Sequence, residues 1–231
     1  MALPLAAPDR RDRFDVAALR ELAGRVGPVT LARDRVLPVL PALAAVVGEG
    51  LRRGSTITVT GASRPLGATT LALAIGAAAS AAGSWVGVVG LPELHPPAAS
   101  ALGISLERLA LVPVVDHWPT VVGALVDALD VVVALVPDGM RSADARRLAT
   151  RAKERGCVLV PVCGPGRGWV EGADIRLIPG RVAWWGLGQG HGVLSGRVVE
   201  VRSTGRGAAG RERTTCLWLP GPDGRVTLAD P

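Results

Sequence analysis

The stretch TITVTGASRPLGATTLALAIGAAASAA, residues 56–82, decides the fold. Thr56 to Gly61 reads as a short buried strand, Gly61 to Gly67 as a tight loop, and Ala68 to Ala82 as a helix of small residues. Strand, glycine-rich turn and helix in that order let backbone N–H groups and a helix N-terminus cradle phosphates. Gly61, Gly67, Thr69 and Thr70 are the candidate phosphate contacts, and Thr69 keeps a hydroxyl of the kind that holds magnesium. The position that calls for a phosphate-reaching lysine is Ala68, and the first glycine falls either at Ala62, where it is missing, or one residue early at Gly61. The loop therefore keeps its frame while lacking the cation that phosphoryl transfer needs, and we expect weak or absent ATP binding.

Downstream of the loop, strands and helices alternate. Trp85 to Val89, Leu109 to Val115, Val131 to Val136 and Val158 to Val162 read as strands. Pro97 to Leu102, Thr120 to Leu129 and Ser142 to Arg155 read as helices, the last with Ser142 as cap and Gly156 as stop. Continuous valine and leucine runs are the mark of parallel strands covered on both faces. Beyond Gly164 the pattern changes to alternation. Asp174 to Ile178, Arg181 to Leu187, Val193 to Arg202, Thr214 to Leu219 and Arg225 to Leu228 read as antiparallel hairpins closing one edge of the sheet, with a turn at Pro222-Asp223-Gly224.

Upstream, residues 1–13 read as a lead without the apolar run of a secretory signal. Residues 14–35 hold a helix with Val16, Leu19, Leu22, Ala23 and Val26 at helical spacing, Asp15 as cap and Gly27-Pro28 as stop. The expected organisation is thus a lead (1–13), a helix and linker (14–35), an α/β core (36–164) and a C-terminal β-hairpin extension packed on that core (165–231).

Composition narrows the class. At 231 residues the chain suits one α/β domain with an appendage. No apolar run reaches the length of a membrane span, so no membrane partner is expected. Three cysteines at Cys157, Cys163 and Cys216 fit reduced thiols in a cytoplasmic protein, and they share no metal-ligand spacing with the three histidines. The net charge of +6 rests almost wholly on arginine, Lys153 being the single lysine. That charge is compatible with nucleic acid but moves the odds only modestly.

The stretches LPALAAVVGEGLRRGSTITVTG, WVGVVGLPELHPPAASALGISLERLALVPV, WWGLGQGHGVLSGRVVEV and LWLPGPDGRV carry a resemblance to the RecA superfamily, and within it to the ImuA branch of the actinobacterial ImuA-prime type. The resemblance covers most of residues 36–231 and implies a RecA-like, P-loop NTPase-type sheet. It also implies that the glutamate activating the attacking water is here Leu91, and that the strand Val131 to Val136 lacks its magnesium-holding aspartate, the next acid being Asp138 beyond Pro137. With Ala68, three catalytic functions are missing, so no catalytic residue and no cofactor is expected. ImuA-type proteins belong to a DNA-damage-induced mutagenesis cassette of the SOS response. The resemblance therefore implies a non-catalytic accessory subunit of a translesion complex, partnered with ImuB and indirectly with an error-prone C-family DNA polymerase, with RecA or DNA as further contacts. Two other readings stay open: an ATPase using atypical contacts such as Arg64, and a SulA-like cell-division inhibitor.

Contact candidates fall in two groups. Arg146, Arg147 and Arg151 lie on one helix, with Arg202 and Arg206 beside a Gly/Ala/Arg loop, and either set suits phosphates or an acidic partner. Trp184, Trp185 and Trp218 lie in the hairpins, where tryptophan often anchors an interface. Alternation puts Trp184 and Trp185 on opposite faces, so one is expected in the core and the other outward. His191 reads as a turn histidine with a packing role.

Overall fold

The computed structural model describes residues 36–61, 67–113, 116–164, 169, 173–188, 191–205 and 211–229. The expected N-terminal helix lies outside the described residues. Nine strands form one sheet in the order β11-β10-β9-β8-β3-β7-β6-β4-β5. The parallel half comprises β3 (Ile57–Thr60), β4 (Val86–Val89), β5 (Leu109–Val112), β6 (Val131–Leu135) and β7 (Val158–Cys163). The antiparallel half comprises β8 (Ile175–Leu187), β9 (Gly192–Gly205), β10 (Arg213–Trp218) and β11 (Thr227–Leu228). Strand β8 joins the halves because it runs parallel to β3 and antiparallel to β9. A separate two-stranded ladder pairs β1 (Val36–Leu37) with β2 (Leu51–Arg52).

The helices are α1 (Ala44–Val47), α2 (Ala68–Ala81), α3 (Pro96–Ala101), α4 (Trp118–Ala128) and α5 (Ser142–Arg155). Helix α2 buries ten of its fourteen residues, so it has no polar stripe to show in sequence. Gly76 lets it settle on the sheet, since a Cβ there would stand 3.4 Å from Val131 and 3.5 Å from Val86. Two apolar cores result. One, on the α2 side, runs from Leu43 and Leu71 through Val86 and Val131 to Val199, Val201, Leu217 and Leu219. The other gathers Val122, Leu125, Leu148 and Leu159 beneath α4 and α5. No helix among the described residues is long and apolar enough to cross a membrane.

Two local expectations are corrected. Ser142 is the first residue of α5, not its cap; Arg141 takes the extended cap position, and no side chain caps the helix. Asp144 in the first turn stands in, drawing Arg141 at 3.2 Å and favouring the positive end of the helix dipole. The segments expected as two strands, Asp174 to Ile178 and Arg181 to Leu187, form a single strand. The pairs Pro179↔Val201 and Val182↔Val199 leave one extra residue on β8, so the ladder bulges at Gly180-Arg181 and continues instead of ending. The stop at Gly156 holds with φ 72, and so does the turn at Pro222-Asp223-Gly224, where the Gly224 N–H donates to Gly221 O at 2.9 Å.

Candidate functional site

Strand β3 delivers the chain to Gly61, and α2 opens at Gly67, whose φ of 93 only glycine adopts readily. The loop between them, with Arg64, lies outside the described residues. A Cβ on Gly67 would meet Leu219 and Val199 at 3.5 Å and the Arg197 guanidinium carbon at 3.9 Å. The antiparallel half thus closes directly over the start of α2. Ala68 is fully buried, while Thr69 and Thr70 are half-buried.

Arg197 of β9 was missed by the sequence reading as a member of this site. Its Nη2 donates to Thr70 Oγ1 at 2.6 Å, its Nε donates to the Leu219 carbonyl, and its Cζ sits 5.5 Å from the centroid of the Trp184 ring. It makes no ion pair with a carboxylate among the described residues, and burial lowers its pKa from the ordinary arginine value. A guanidinium held by a carbonyl and a hydroxyl beside the positive end of a helix dipole is an uncompensated charge. The signal in sequence was only the separation of 127 residues between Thr70 and Arg197, which no local pattern bridges. Leu91 is half-buried and packs against the α2-side core, and Asp138 lies in the turn after β6.

The tryptophans depart from expectation. They do take opposite faces, but neither is core: Trp184 is 43% and Trp185 52% exposed. Both lie past the bulge, where β8 and β9 run on as a ribbon beyond the end of β3 and the Arg197 backbone still exchanges hydrogen bonds with Leu219 and Pro220. Alternation fixes faces but not whether a second layer covers them. Trp184 shares the α2-side face with Arg197, its cross-strand partner, whereas Trp185 stacks edge-on against Trp218 at 5.3 Å and 73°. The ribbon also exposes Leu187, Leu194 and Val193, the last at 82%. His191 lies at the ribbon tip, its carbonyl accepting from the Gly188 N–H at 2.7 Å.

The arginines separate. Arg146, Arg147 and Arg151 do share the outward side of α5, where they line an open depression with Thr150, Glu154 and Arg155. Arg151 and Arg155 both bind Asp127 of α4, Arg151 through two nitrogens, and Arg147 stands 3.7 Å from Asp144. The Arg151 hydrogen bond holds the Asp127 carboxyl below its usual range. Arg202 lies far along the sheet on β9, 3.8 Å from Glu212, and Arg206 lies outside the described residues. Burial pushes the Cys157 and Cys163 thiols up, so neither offers a reactive thiolate, and all three cysteines are free. No cluster of three metal-ligating side chains occurs among the described residues.

Two comparisons bear on descent. The uncharacterized protein Rv3395c of Mycobacterium tuberculosis (strain ATCC 25618 / H37Rv) is 36% identical over 113 residues, covering 48% of this chain and 53% of that protein. The chain thus spans about half the length of the curated relative it matches. The model of the MT3502 N-terminal domain matches residues 44–169, from α1 through the parallel half to buried Trp169, which is more than half of the chain. On that match, the chain belongs to the MT3502 N-terminal domain family.

Proposed function

We propose that this protein is a non-catalytic, RecA-like accessory subunit of the ImuA type, a cytoplasmic component of a damage-induced translesion synthesis complex that docks on ImuB and, through it, serves an error-prone C-family polymerase. The observation that carries the docking role is the ribbon: five of the eight large hydrophobic side chains most exposed in the described chain, Trp184, Trp185, Leu187, Val193 and Leu194, fall within eleven residues. Apolar exposure concentrated on one ribbon in this way marks protein contact surfaces. The start of α2 supports the absence of catalysis. Ala68 supplies no cation, and Arg197 already engages the Thr70 hydroxyl while Val199 and Leu219 close over Gly67.

The test is co-purification with the ImuB encoded in the same genome. The wild-type chain should retain ImuB, and Leu187→Asp or Val193→Asp should release it while the fold stays intact by circular dichroism. Failure of the wild-type chain to retain ImuB at micromolar concentration overturns the assignment. One observation favours a second reading, nucleotide binding: Arg197 pairs with no carboxylate among the described residues and lies beside a helix N-terminus. Under that reading magnesium–ATP raises the melting temperature, and Arg197→Ala abolishes the rise.

A further inference from the structure

We propose that the face of the antiparallel half-sheet that no described helix covers is a platform for single-stranded nucleic acid. Register and burial define that face. Leu177, Val199, Val201, Ser203 and Leu217 point toward the α2-side core and are buried. The residues alternating with them, from Arg176 on β8 through Val198 to Arg202 on β9 and on to Trp218 and Thr227, are exposed or half-exposed without exception. Helices α4 and α5 cover this side of the sheet only over its parallel half.

The face has the chemistry of a strand binder. Trp185 of β8 and Trp218 of β10 meet edge-to-face across β9, and Trp185 is half-exposed, so an unstacked base finds an aromatic surface. Arg176 forms no ion pair among the described residues, and Arg202 holds only a 3.8 Å contact to Glu212. The described residues of the segment 175–229 carry seven arginines against three acids, Glu200, Glu212 and Asp223. On the face itself register places Arg176 and Arg202 against Glu200, Arg197 and Arg213 lying on the α2-side face, so a positive surplus remains to favour a polyanion. A duplex buries its base faces and would forgo the tryptophans, so the occupant is single-stranded. Trp185 belongs to both surfaces, whereas Leu187, Val193 and Leu194 at the ribbon tip are left to the protein contact proposed above, and the platform does not depend on them.

The experiment uses the full chain alone with a fluorescein-labelled twenty-nucleotide thymidine strand, read by fluorescence polarisation. Binding is expected with a dissociation constant of about 10⁻⁶–10⁻⁴ M at physiological salt, weakening as salt rises. Trp185→Ala should weaken it about tenfold. Arg176→Glu with Arg202→Glu should also weaken it and flatten its salt dependence. Trp184→Ala, next along the same strand but facing the other way, should leave binding unchanged and so controls for misfolding. Absence of binding, equal effects of the two tryptophan variants, or loss on Arg146→Glu in α5 without loss on the face variants each overturn the proposal. If the strand does not bind while Trp185→Ala releases ImuB, the face is a protein interface instead.

Discussion

Arg197 reaches from β9 to Thr70 and to the Leu219 carbonyl, so one side chain ties the antiparallel half to the first turn of α2. Removing it leaves two acceptors unsatisfied in a half-buried place. Arg197→Ala should cost about 1–3 kcal/mol in urea denaturation, and Thr70→Val about 1 kcal/mol. The double variant should fall short of their sum by at least about 0.5 kcal/mol, because the two changes delete one shared contact; strict additivity would mean that the bond adds nothing. Ala68 invites the opposite experiment. Restoring the missing lysine by Ala68→Lys places an ammonium at a fully buried position, so a loss of roughly 3 kcal/mol is expected, with no stabilisation by magnesium–ATP. Asp127 supplies a pH dependence. Its pKa is lowered in the fold by the Arg151 hydrogen bond, so the unfolded chain takes up the proton first as pH falls. The stabilisation is present above the unfolded carboxylate value of about 4 and is lost on acidification below it. Asp127→Asn should remove that acid-side loss from a pH series of denaturation midpoints.

At the scale of elements, what was legible followed from period and punctuation. Continuous apolar runs gave β4, β6 and β7 because both faces of those strands are covered, and Gly156 marked the end of α5 because only a left-handed residue fits there. The misses share a cause, in that each depended on partners remote in sequence. Pro179-Gly180 looked like a break but became a bulge, since β9 continues the ladder past it. Trp184 and Trp185 alternated as expected, but sequence carried no sign that the ribbon outruns its covering layer. Strand β3 and helix α2 were legible; the Arg197 guanidinium reaching the start of α2 from β9 was not. Two glycines turn this into a measurement. Gly156→Ala meets no neighbour closer than 3.8 Å and should cost only the strain of φ 72, about 1 kcal/mol or a fall of about 2–4 °C in melting temperature. Gly54→Ala adds a 2.9 Å approach to the Lys153 backbone to a φ of 79, so it should fall further. Equal shifts would mean that the β2–β3 turn yields freely from the end of α5.

At the scale of the whole molecule, the described residues layer the sheet unequally: helices sandwich its parallel half, while its antiparallel half is buried on one face. The two halves nevertheless share one core. Val199, Val201, Leu217, Leu219 and Val226 belong to the same apolar cluster as Leu71, Val86 and Val131, and Ser203 Oγ donates to the Val46 carbonyl at 2.6 Å. Deleting these five side chains exposes their α2-side neighbours at roughly 1.5–3 kcal/mol apiece. That loss is of the same order as the entire 5–15 kcal/mol by which a domain is stable. A chain ended after Gly180 should therefore show no cooperative thermal transition and no near-ultraviolet circular dichroism. The full chain should melt in one step over the described sheet, with fluorescence and far-ultraviolet signals coinciding. A cooperative transition in the shortened chain would instead make the parallel half an independent unit and the antiparallel half an accessory to it. Because truncation removes core as well as surface, loss of a partner on truncation cannot locate a docking site. Point changes on the ribbon tip and on the open sheet face, whose residues belong to neither buried cluster, separate binding from folding.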